Sequence, residues 1–219
     1  MKKLFFLLLF AGILLSACSN NGRKVEAQDA KKVGVTQNDQ TATFATVNAE
    51  SHVKWKASHL GGVQPRFGKI SLKSAEFLVN GGQLTNATVV IDMGAITVES
   101  FPEGSTDIAK LTGHLQSDDF FNIEKFPVAT FELTKQETQS GNYNTKVTGN
   151  LTILDVTKSI SFNANINTSV DKVSIKSEDF SVDRTDWGLV YNTEGTAGVP
   201  TNYLIANNIG FTIDVSVKK

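Results

Sequence analysis

The residues able to do chemistry in this chain are few and scattered. Cys18 is the only cysteine among 219 residues, and it directly follows Leu15, Ser16 and Ala17. Asp118 and Asp119 are adjacent carboxylates, but neighbours in a helical turn point in different directions, whereas acid and base catalysis needs two carboxyls facing one bond. They read better as helix-start aspartates at the positive end of a dipole. His52, His59 and His114 are the only histidines, and on a strand His52 and His59 fall on opposite faces, so they do not converge on one metal. Arg184, between Asp183 and Asp186 and near Trp187, has the chemistry to hold an anionic head group. The same residues read better as a local ion pair with Trp187 stacked as a barrel latch, because structural ion pairs commonly mimic sites. No HExxH, EF-hand, GxSxG or P-loop pattern occurs. The reading is of a chain with no catalytic residue, no metal site and no cofactor.

Cys18 ends a targeting segment. Lys2 and Lys3 supply a charged start, Leu4 to Leu15 an apolar run, and small residues precede the cut. The run is shorter than the roughly 20 residues a membrane-spanning helix needs, so residues 1–17 are expected to be a cleaved signal peptide. The tetrapeptide LSAC resembles the lipobox of bacterial lipoproteins, which implies cleavage before Cys18 and acylation of its thiol and new amino terminus. At about 0.8 kcal/mol per buried methylene, two or three acyl chains hold a protein to a bilayer. With Cys18 spent on lipid, no thiol remains for a disulfide, a thiolate ligand or a nucleophile. Ser19 stands where many inner-membrane lipoproteins carry aspartate. The expected location is therefore the cell envelope, lipid-anchored at the outer membrane and facing the periplasm.

Cleavage would remove two of the 21 basic residues and no acid, leaving 19 basic against 22 acidic groups, a net charge of −3. The Lys and Arg residues are scattered singly, with neither the basic footprint of a nucleic-acid binder nor a polybasic membrane patch. Residues 18–43 hold no aromatic residue and many Asn, Gln, Lys, Gly and Asp, the composition of a solvated, flexible tether with a mean reach of roughly 25–30 Å. Residues 44–219 then form one domain, large enough to bury roughly 70% of its unfolded surface.

Strands must position whatever this domain binds. Ile160, Phe162, Ala164 and Ile166 alternate with polar Ser161, Asn163 and Asn165, and Phe211, Ile213, Val215 and Val217 repeat the pattern. The same period runs through Val53, Trp55 and Ala57; Ala87, Val89 and Ile91; Ala129, Phe131 and Leu133; and Val147, Gly149, Leu151 and Ile153. Parity slips between Leu72 and Phe77, which predicts a bulge near Ser74 and Ala75. Turn residues at Gly61–Gly62, Asn80–Gly82, Ser140–Asn142 and Asp155–Lys158 divide the chain into about eight long strands. The fold class is all-β, a lipocalin-like antiparallel eight-stranded barrel with one or two short helices near residues 105–122. Ile108, Leu111 and Leu115 fall at helical spacing behind a cap at Ser105 or Thr106. Alternation does not say which face is out; the anchor and tether favour a water-soluble barrel with a dry interior over a membrane-spanning one.

The stretch GHLQSDDFFNIEKFPVATF (Gly113 to Phe131) resembles the YceI-like family, whose pattern Leu115, Asp119, Phe120, Phe121, Pro127 and Phe131 match in order. The resemblance extends to SHVKWKASHLGG from Ser51, FGKI from Phe67, VTGNLTILDVTKSI from Val147 and DRTDWGL from Asp183, covering residues 48–217. It implies a barrel enclosing a long apolar ligand, typically an isoprenoid chain or quinone, in a secreted or periplasmic protein. Candidate lining residues are Trp55, Phe67, Leu72, Phe77, Val89, Ile91, Phe120, Phe121, Phe131, Leu133, Leu151, Ile153, Phe162, Phe180, Trp187 and Phe211, with Arg184 the head-group candidate. Phe120 and Phe121 either gate the tunnel or plug it. The expected function is carriage or sequestration of an apolar lipid at the membrane, through the lipid anchor and with no nucleic-acid partner. The rivals are a structural envelope barrel with a filled core and a lipid-modifying enzyme.

Overall fold

The computed structural model describes residues 22–34 and 41–219. The expected signal peptide and Cys18 lie outside the described residues. Four short strands come first: β1 (Arg23–Lys24), β2 (Gln28–Asp29), β3 (Ala42–Phe44) and β4 (Thr46–Val47). The long ones follow: β5 (His52–Ala57), β6 (Arg66–Asn80), β7 (Gln83–Ile96), β8 (Val128–Thr138), β9 (Thr145–Ile153), β10 (Val156–Thr168), β11 (Lys172–Ser177), β12 (Phe180–Asp183) and β13 (Asn208–Lys218). Helix α1 (Thr106–Gln116) interrupts them between β7 and β8.

Each strand from β5 to β11 pairs antiparallel with the next, and β13 follows β11 in the sheet. β13 then pairs back onto β5, with Phe211 opposite Trp55 and Ile213 opposite Val53, and the sheet closes. Counting β11 and β12 as one stave broken at Glu178 and Asp179, the ring has eight strands, the expected barrel. Closure removes the free edges an open sheet would expose. The hairpins are short for local reasons. Gly81 and Gly82 turn β6 into β7 at φ 57° and 80°, and Leu154 and Asp155 turn β9 into β10 with Leu154 at φ 55°, the left-handed region two-residue hairpins need. The β6 irregularity lies on either side of Leu72, between Ile70 and Ser74, slightly earlier than the expected bulge.

Helix α1 starts where expected, its Ser105 hydroxyl accepting from the Asp107 amide at 3.2 Å. Beyond it, Ser117 to Phe121 form hydrogen-bonded turns and no second helix. The core holds the apolar face of every long strand, including Phe77, Ala164, Val173 and Val217 at full burial.

One expectation needs correcting. Residues 18–43 were expected to be solvated throughout, yet Gly22–Gly34 lies against the barrel as a strap. β1 runs parallel to β12, placing Arg23 opposite Phe180 and Lys24 opposite Ser181. β2 pairs antiparallel with β10, Gln28 opposite Ser159. Between them Val25 is 4% exposed and belongs to the core. Composition missed this because most of the docking is backbone hydrogen bonding, to which side-chain polarity is blind. The strap also fills a gap: β10 pairs with β11 only from Ala164 to Thr168, so its first half has no partner on that side except β2.

Candidate functional site

The barrel interior holds a cavity of about 90 Å³ whose 23 lining residues are all apolar. Strand alternation explains this, since every second residue of each stave points inward. Eleven of the expected lining residues meet there: Phe77, Val89, Ile91, Phe121, Phe131, Leu133, Leu151, Ile153, Phe162, Phe180 and Phe211. The aromatic wall is continuous across staves. Phe131 and Phe162 have ring centroids 5.7 Å apart, Phe162 and Phe180 stack at 4.8 Å and 3°, and Phe180 and Phe211 are 6.0 Å apart. Such contacts add about 0.5–1.5 kcal/mol per pair beyond burial. Gly149 makes room for them, because a Cβ there would lie 2.2 Å from the Phe131 ring.

A second, larger space of about 240 Å³ lies at the α1 end of the barrel. Trp55, Leu111, Leu115 and Phe120 give it apolar walls, and Ser58, His59, Arg66, His114, Tyr191 and Tyr203 give it polar ones. His114 contacts Phe120 and Tyr191 edge-on at 5.0 and 4.9 Å, and its Nε2 is 3.0 Å from Asp119 Oδ2. His59 Nδ1 is 2.6 Å from the Asn202 carbonyl. Val53 lines the inner cavity and Trp55 this vestibule; likewise Phe121 faces inward and Phe120 outward. The adjacent phenylalanines therefore stand at the boundary between the two spaces, both lining and closing.

Five expected residues are placed elsewhere. Trp55 and Phe120 line the vestibule rather than the inner cavity. Phe67 points outward at 42% exposure, because the inward position of that register is Gly68. A Cβ at Gly68 would meet the Thr97 carbonyl oxygen at 1.9 Å. Leu72 falls in the β6 register shift and packs at the margin of the core. Trp187 is fully buried, with Nε1 donating to the Leu151 carbonyl at 3.0 Å, and acts as a latch rather than as cavity wall.

The head-group expectation for Arg184 is corrected. Arg184 is 2% exposed. Its Nε donates to the Ala206 carbonyl at 3.2 Å, one terminal nitrogen to Leu189 at 2.5 Å, and the other to Tyr191 and Ile205 at 2.9 and 3.2 Å. Four of its five N–H groups are spent on backbone, and burial pulls its pKa down from the ordinary value. Sequence reasoning also passed over Ile70, Leu84, Met93 and Ile175 as lining residues. Ile175 carried a usable signal in its alternation with Val173; Ile70 was obscured by the parity slip.

Residues 44–217 match the YceI-like domain family. A UPF0312 protein of Shewanella baltica is 33% identical over 116 residues, 53% of this chain and 56% of its own length. The chain thus spans about half the length of the curated relatives it matches. Among solved structures, Burkholderia cenocepacia BcnA aligns with TM-score 0.56 and 17% identity over 78% of this chain and 98% of its own. A polyisoprenoid binding domain from Saccharophagus degradans, implicated in plant cell wall breakdown, aligns with TM-score 0.56 and 14% identity over 81% and 99%. At these identities the likeness is one of fold.

Proposed function

The chain belongs to the YceI-like family, and from that premise we propose that it binds a long apolar ligand, an isoprenoid chain or similar lipid, inside its barrel while anchored to a membrane through Cys18. The observation that carries the reading is the inner cavity, where apolar side chains from the whole ring converge with no polar residue among them. Non-directional burial, worth about 25 cal/mol per Å², suits a hydrocarbon chain and little else. The vestibule, with His59, Arg66, His114 and Tyr191 on its walls, receives the ligand's polar end. Catalysis within the barrel would require titratable groups beside the chain, and none lines the inner cavity. Carriage or sequestration is the role this arrangement supports, and the sequence at Cys18 and Ser19 is the ground for proposing that it takes place at the outer membrane, facing the periplasm.

One observation favours the rival reading of a structural barrel with a filled core. A cavity of about 90 Å³ lies below the roughly 300 Å³ at which ordinary ligand pockets begin. Binding therefore requires the phenylalanine wall to move outward or the Phe121 partition to swing aside. The two readings separate when the purified protein is extracted with organic solvent, the extract is analysed by mass spectrometry, and the emptied protein is titrated with a fluorescent polyprenyl probe. Co-extracted isoprenoid and saturable binding are expected. An empty extract with no probe binding would leave the filled-core barrel standing.

A further inference from the structure

We propose that the strap keeps one particular wall of the barrel, the gap between β10 and β12 that it closes, turned toward the membrane. The proposal rests on the reading that Cys18 is acylated.

Distance is the first argument. Gly22 is pinned, not loosely placed: its φ is +84° and a Cβ there would lie 2.3 Å from the Asp179 carbonyl. The next two docking contacts are backbone hydrogen bonds, from the Arg23 amide to Asp179 at 3.1 Å and from the Val25 amide to Ser181 at 2.7 Å. Three residues separate Cys18 from Gly22, and fully extended these four Cα–Cα steps span at most about 14 Å. An acylated Cys18 lies at the bilayer interface, so the wall at Asp179 is confined to within that distance of the membrane.

The second argument is that the strap resists peeling along its length. The Arg23 guanidinium meets Glu178 at 2.6 Å and donates to the Ser161 carbonyl at 3.2 Å, joining the two sides of the gap. At the far end, the Asn150 side chain exchanges two hydrogen bonds with the Lys31 backbone, at 2.9 and 2.7 Å. A strap held at both ends keeps the point from which the anchor leaves the barrel at this wall. Of the strap's cations, Arg23 and Lys24 are paired with Glu178 and Glu26, and Lys31 and Lys32 are exposed. The strap lies outside the span that matches the family, and circular dichroism checks that the barrel stays folded when the contacts of Gly22 and Arg23 are removed.

The test uses the full acylated protein in phosphatidylethanolamine and phosphatidylglycerol vesicles containing nitroxide-labelled lipid. Because Cys18 is the only native cysteine, an introduced one is the only free thiol once the anchor is made. Asp186→Cys on the wall beside the strap, Glu76→Cys on the opposite wall, and Tyr203→Cys at the vestibule each receive a fluorophore. Quenching several-fold stronger at position 186 than at 76 or 203 is expected. Gly22→Ala combined with Arg23→Ala should reduce that contrast to near parity while circular dichroism stays barrel-like. Equal quenching at all three positions, or strongest quenching at 203, would overturn the orientation. The mass of the amino-terminal peptide distinguishes the two failures: without acyl chains, the anchoring reading falls and takes the orientation with it.

Discussion

Arg184 shows what a side chain's chemistry does and does not reveal. Its capacity for several strong donations is legible from its type; its acceptors are not, because backbone carbonyls leave no mark on a sequence. Arg184→Ala is expected to destabilise the protein by about 3–5 kcal/mol, the usual cost of emptying a buried charged hydrogen-bond cluster. Arg184→Lys should recover little of this, since an ammonium cannot reach four carbonyls in a planar fan. Thermal denaturation measures both, and a variant of unchanged stability that loses ligand would restore the head-group role. Gly149 offers the complementary case. Gly149→Ala drives a methyl into the Phe131 ring, which should cost about 1–3 kcal/mol and push the ring inward, lowering polyprenyl-probe affinity. Phe67 teaches the same lesson in reverse: its side chain is outward because its neighbour must be glycine, a constraint set by the backbone of Thr97 just beyond the end of β7.

At the scale of elements, legibility follows locality. Helix α1 was predictable because its cap, dipole and apolar spacing all lie within 11 residues. The strap was not, because its partners are remote and its own residues are polar. Its ion pair yields a pH prediction. Burial pushes the Glu178 carboxyl up, but hydrogen bonds from Arg23 and Asn163 outweigh it and hold the pKa below its ordinary value of 4.5. A lowered folded pKa contributes stability that is present above the ordinary value and is lost as pH falls through the folded one. Strap protection in hydrogen exchange, read at Arg23 and Val25, should therefore hold at neutral pH and decline in acid as pH falls below the ordinary value of 4.5 and through the lowered one. Arg23→Ala should flatten that dependence.

For the molecule as a whole, alternation announced the barrel and its dry interior, because period two is written into each strand separately. How full the interior is depends on how rings from different staves meet, and no single strand records that. The small size of the cavity makes filling it informative. Ala87→Leu adds three carbons at an inward, 2%-exposed position beside the cavity. Where they fit, the empty protein gains up to about 2 kcal/mol, and probe affinity falls at least tenfold; calorimetry and titration report the two effects separately. The strap carries a further consequence, for timing. Arg23 and its partner Glu178 are 155 residues apart, and contacts of such separation form late. A chain made from its amino terminus leaves Gly22 and its neighbours without partners until β10 and β12 exist. The processing proposed at Cys18 needs an extended, reachable peptide at that place and time. Once the barrel is complete, Gly22 is docked against Asp179. Late closure thus gives the modification proposed at Cys18 time to precede docking.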